Sequence, residues 1–136
     1  MNMKFLGQNE LNGRLIEEYE VEDGLTLPKV TNYIELLVNQ GFTFERADIY
    51  SSSDKDNWQT FSGHESYSKY ETFVNMLKSD RLAKEPGVIV SFEGEINGEK
   101  KWIDFYVDKN DIVFHTPINN ELNSEIVTEN SNSFRR

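Results

Sequence analysis

An Asn-Gly pair at residues 97 and 98, set between two alternating runs, most constrains what this chain can fold into. Both residue types tolerate positive φ, which a type I′ turn requires at its two central positions. A two-residue turn here sets the register by arithmetic. Glu95 faces Lys100, Glu93 faces Trp102, Phe92 faces Ile103, Val90 faces Phe105 and Val88 faces Val107. One face then carries Val88, Val90, Phe92, Ile103, Phe105 and Val107, every one of them apolar. The other carries Ile89, Ser91, Glu93, Glu95, Lys100, Trp102, Asp104 and Tyr106. A slip of one residue destroys that separation, so pattern and turn support the same pairing.

A second turn at Asp108–Asp111 extends the ladder to a third strand: with Lys109 and Asn110 at its tip Phe105 faces Phe114, and a three- or four-residue loop is the alternative. The result is an antiparallel meander with one dry face, which helices must cover. Two helices have the required stripe. Val30, Tyr33, Ile34, Leu37 and Val38 recur at helical spacing behind Thr26 and Pro28, and Gly41 suits the C-terminal cap. Tyr67, Tyr70, Phe73, Val74, Met76 and Leu77 make a second stripe. Ser68-Lys69-Tyr70-Glu71 reads there as a capping box, so Ser66 or Ser68 is the expected start. Residues 42–51 read as a strand with no cleanly apolar face. Residues 3–22 read as a hairpin about Asn12-Gly13 with an acidic exposed side. The expected fold is therefore α+β. A single domain over 1–117 carries an antiparallel sheet with two helices on one face, followed by a polar tail over 118–136.

Acidic residues outnumber basic ones 24 to 14, for a net charge of −10. Such a field repels nucleic acid and anionic membranes and favours a cationic partner. No cysteine is present, so disulfides and thiolate metal sites are excluded and a cytoplasmic setting is expected. No stretch reaches the roughly 20 apolar residues of a membrane span.

Catalytic signatures are lacking. The expected register sets Ser91, Asp104 and His115 side by side, but a hydrolase triad needs histidine between serine and aspartate. The row reads instead as a structural Asp104–His115 pair. The two histidines, His64 and His115, share no metal-ligand spacing, and no phosphate or dinucleotide loop occurs. No cofactor or metal is expected.

Aromatics in polar settings are more informative. Trp58 and Phe61 fall in the polar stretch Asn57–Tyr67, which reads as a flexible loop, and Trp102 and Tyr106 share the polar sheet face with Glu93, Glu95 and Asp104. Trp and Tyr are favoured anchors of protein interfaces. In size, acidity, lack of cysteine, α+β layout and loop aromatics the chain resembles bacterial immunity proteins. The resemblance implies a non-catalytic protein that neutralises a toxin domain, often a cationic nuclease, by direct binding. The candidate contact residues are Glu93, Glu95, Trp102, Asp104, Tyr106, His115, Trp58 and Phe61. A small-ligand or enzymatic domain with a pocket between helices and sheet, or a subunit of a larger assembly, are the alternative readings.

Overall fold

The computed structural model describes residues 2–11, 13–52, 61–107 and 112–116. Trp58, the 108–111 turn and the 118–136 tail lie outside the described residues. In chain order the elements are β1 (Met3–Leu11), β2 (Arg14–Val21), α1 (Leu27–Asn39), β3 (Thr43–Ser52) and β4 (Phe61–Tyr67). There follow α2 (Tyr70–Leu77), α3 (Asp80–Ala83), β5 (Gly87–Ile96), β6 (Glu99–Val107) and β7 (Ile112–Thr116). All seven strands join one antiparallel sheet in the order β1-β2-β7-β6-β5-β3-β4. This is the α+β architecture expected.

The β5–β6 hairpin lies near the centre of that sheet and has the register set by its turn. Val88 pairs with Val107, Phe92 with Ile103 and Glu95 with Lys100. Asn97 and Gly98 have φ of 55° and 78°, the left-handed values of a type I′ turn. Lys100 makes its ion pair with Glu45, 3.5 Å away on β3.

The chain leaves β2 and re-enters the sheet at β3, four strand spacings away. At about 4.8 Å each that is roughly 19 Å. The 13 residues of α1 make a helix of about 20 Å within the connection between these two parallel strands. Thr26 caps α1 by accepting from the Lys29 amide, and Pro28 sits in the first turn. The helix buries Val30, Thr31, Tyr33, Ile34 and Leu37 against the sheet. Tyr33 meets Phe105 edge-on. The second helix, α2, places Phe73 against Phe44 and Phe92 in stacked contacts of 5.8 and 5.9 Å. Such pairs add about 0.5–1.5 kcal/mol beyond burial alone.

Three expectations are corrected. First, Asn57–Tyr67 is not loop throughout, because Phe61–Tyr67 is the edge strand β4. Ser66 therefore lies in a strand. Second, α2 begins at Tyr70 behind Lys69, without a side-chain cap, so Ser68 forms no capping box. Third, β6 and β7 are offset by one residue from what a turn tipped by Lys109 and Asn110 requires. Asp104 pairs with Phe114, and His115 pairs with Ile103. The Ser91–Asp104–His115 row does not form, since a one-residue slip exchanges the two faces of a strand.

The mixed pattern of β3 also has a cause. A bulge between Phe44 and Arg46 breaks its alternation. Phe44 therefore packs inward with Ala47 and Ile49, while Arg46, Asp48 and Tyr50 share the outer face. Opposite Phe44 stands Gly94, where an added Cβ would lie 2.0 Å from Phe42 Cε1 and 2.3 Å from the Thr43 carbonyl oxygen. One contact is backbone, so the clash cannot be relieved by turning a side chain. Gly94→Ala is expected to destabilise the fold by about 1–3 kcal/mol or more in urea titrations. Unchanged stability would show that β3 does not approach β5 this closely.

Candidate functional site

The outer face of the sheet is built by cross-strand pairing. One row runs Ser66 (β4), Asp48 (β3), Ser91 (β5), Asp104 (β6), residue 114 (β7) and Glu18 (β2). Beside it run His64, Tyr50, Ile89 and Tyr106 on one flank and Arg46, Glu93 and Trp102 on the other. Carboxylates thus recur across the sheet with aromatic rings on both sides.

The densest cluster is centred on Asp48, whose side chain is 13% exposed. Ser66 Oγ donates to Asp48 Oδ1 at 2.5 Å, and His64 Nε2 lies 3.0 Å from the same oxygen. Arg46 Nη2 reaches Oδ1 at 3.0 Å and Oδ2 at 2.9 Å. Burial pushes the Asp48 carboxyl upward, but the bonds from Ser66, His64 and Arg46 outweigh it and hold it below the usual range. Tyr50 stacks on His64 with ring centres 4.3 Å apart and planes 5° from parallel. Its phenol is pushed up by burial first, then by the nearby Asp48 and Asp104.

Serine, histidine and aspartate do meet here, but not as a relay. The same His64 nitrogen faces both Asp48 Oδ1 and Ser66 Oγ, the latter at 3.5 Å, and the serine donates directly to the aspartate. A triad divides these contacts between the two ring nitrogens. The cluster instead clasps edge strand β4 onto β3.

Of the candidates named from sequence, Glu93, Glu95, Trp102, Asp104 and Tyr106 share this outer face. Glu93 lies 3.9 Å from Arg46 Nε. Trp102 is half-buried and its Nε1 donates to Ser91 Oγ at 2.9 Å. Tyr106 is half-buried, and burial followed by the Asp104 charge raises its phenol. Asp104 is itself buried, so it acts on Tyr50 and Tyr106 from below the surface. Phe61 is exposed at the edge and joins Tyr50 at 5.1 Å. His115 stands apart from Asp104 in register. The Asp48–His64–Ser66 cluster and Tyr50 were not singled out from sequence. Their only signal is the outward alternation of Arg46, Asp48 and Tyr50, which the bulge interrupts.

Between helices and sheet the space is filled by Phe42, Phe44, Phe73 and Phe92. At the rim, between β4 and α3, lies a cleft of 120 Å³ bordered by Ser51, Ser62, Glu65, Arg81 and Glu85. Drug-sized ligands occupy roughly 300–1,000 Å³. Arg81 and Glu65 already pair across this cleft. Among the described residues no group of three or more potential ligands is placed to hold a metal ion, and no helix is long and apolar enough to cross a membrane.

No family model matches this chain, and neither a curated protein nor a solved structure resembles it.

The lowered Asp48 carboxyl links the cluster to stability. A carboxyl that titrates lower folded than unfolded contributes stability above its ordinary value, near 3.8, and loses it as pH falls through the folded value. Asp48→Asn is expected to cost about 1–2 kcal/mol at neutral pH. The variant should also show a shallower loss of stability than the parent below pH about 4. Urea midpoints measured from pH 7 to pH 2 check this; parallel curves would deny Asp48 its stabilised charge.

Proposed function

We propose that this is a non-catalytic binding protein of the immunity type, which neutralises a cognate toxin domain by direct contact through the outer face of its sheet. The observation that carries the reading is the face itself. Tyr50, Trp102 and Tyr106 stand beside Asp48, Glu93 and Asp104 on strands whose other side is buried in the core, and His64 stacks on Tyr50 from the edge strand. Rigid aromatic anchors bury much area at little entropic cost. A net charge of −10 supports a cationic partner, whose capture it would steer and accelerate. On this reading the carboxylates occupy the places that a nuclease reserves for phosphates, and the encounter takes place in the cytoplasm of a bacterial cell. The shared His64 nitrogen favours binding over hydrolysis at this cluster.

The test is co-expression with a toxin C-terminal domain from the reading frame expected, on this proposal, to adjoin this one. Survival of the cells, and a stable complex of the purified pair, are expected. Reversing charge at Glu93 and Glu95 together should weaken that complex at least about tenfold at low salt, and less at high salt. Trp102→Ala should cost about 2 kcal/mol or more. Absence of binding and protection would reject the function. Unchanged affinity in these variants would move the contact off this face.

A further inference from the structure

Phe61 reaches the outer face only because β4 is bulged. On a regular strand, residues 61 and 64 would project to opposite sides. Here Gly63 pairs with Ser51, and the next pair is Phe61 with Ser52, so Ser62 is an extra residue. One inserted residue re-aims everything beyond it. Phe61 therefore lies over the same side as His64, and both rings contact Tyr50, at 5.1 and 4.3 Å. The ladder Phe61–Tyr50–His64 stays open to solvent at its outer members, with Phe61 44% exposed and the His64 side chain 48% exposed. A ring that helped close the core would have been turned the other way.

At the His64 end of the ladder lies the Asp48 carboxylate, its Oδ1 3.0 Å from His64 Nε2. Its Oδ1 takes Ser66, His64 and Arg46, whereas among the described residues its Oδ2 takes Arg46 alone. Oδ2 thus retains acceptor capacity. The Arg46 guanidinium shows that the carboxylate edge presents itself to a planar cation. Glu93, 3.9 Å from Arg46 Nε, gives that arginine a second acceptor if it shifts aside. Aromatic faces attract cations, and a guanidinium can lie flat on a ring while forking a carboxylate, which an ammonium cannot do.

We infer that Phe61, Tyr50, His64 and Asp48 form an anchor site for an arginine side chain of the protein partner. The inference rests on the outer face being the partner surface and names which end of that face takes which group. The β4 bulge has a role in this account: it supplies the outermost ring of the site.

The probes are two capped tripeptides, acetyl-Gly-Arg-Gly-amide and acetyl-Gly-Lys-Gly-amide, titrated into the full chain with aromatic carbon–proton NMR as the readout. Saturable shifts are expected at Phe61, Tyr50 and His64, with the arginine peptide about two- to fivefold tighter than the lysine peptide. Phe61→Ala, at an exposed position, should remove that preference and leave the amide spectrum of the core in place. Asp48→Asn should weaken both peptides. Equal shifts from both peptides spread over the acidic surface would overturn the inference, as would a preference that survives Phe61→Ala. A ladder that binds the arginine peptide in a protein that neutralises no toxin would reject the proposed function alone. A toxin held at parental affinity by Phe61→Ala and Asp48→Asn would reject the anchor alone.

Discussion

Removal of one face of the β5–β6 hairpin from water is the constraint on which the rest of this structure depends. Val88, Val90, Phe92, Ile103, Phe105 and Val107 are all buried on that face. Each such side chain contributes roughly 1.5–3 kcal/mol relative to exposure. A slip of one residue would exchange this set for Ser91, Glu93, Trp102 and Asp104, so the register is held from both sides. Every later feature inherits its position from that choice. The helices cover the dry face, and the opposite face is left for polar and aromatic groups in defined rows.

The hairpin was legible in sequence because two local signals agree: a turn that needs Asn-Gly, and apolar residues that alternate on one face over Val88–Phe92 and Ile103–Val107. The stripe of α1 was legible for the same reason. Strand order was not. The meander ends the chain, yet it sits between the hairpin β1–β2 and the pair β3–β4. Nothing local in the sequence encodes that insertion, because it is set by pairing between strands distant in the chain.

Bulges account for most of what the alternation concealed. Each adds a residue that shifts the pattern by one, and a period-two reading across it mixes the faces. The bulge in β3 made Phe44 and Arg46 look like neighbours on one side. The bulge in β4 carries Phe61 to the outer face, where the composition of Asn57–Tyr67 suggested a loop. In β1 a shift between Phe5 and Gly7, with Gly7 at φ 146°, explains the weak alternation of residues 3–11. The site was therefore half visible. Glu93, Trp102 and Tyr106 lie on the regular hairpin and were read directly, whereas Asp48, Tyr50 and His64 lie on the bulged strands and were missed. The Asp104–His115 pair failed for a related reason, a register one residue away from that of a two-residue turn.

The two faces divide the work of the molecule. One is closed by stacked rings and holds the fold. The other holds carboxylates and aromatics in defined rows, and we propose that it meets a cationic protein partner. The most direct measurement is the aromatic NMR spectrum of the chain in complex with its proposed partner, a cationic toxin domain. The account predicts large shifts for Tyr50, Phe61, His64, Trp102 and Tyr106, with Tyr33 and Phe73 nearly unmoved. Shifts confined to residues on the exposed sides of α1 and α2, with the outer sheet face unchanged, would contradict it.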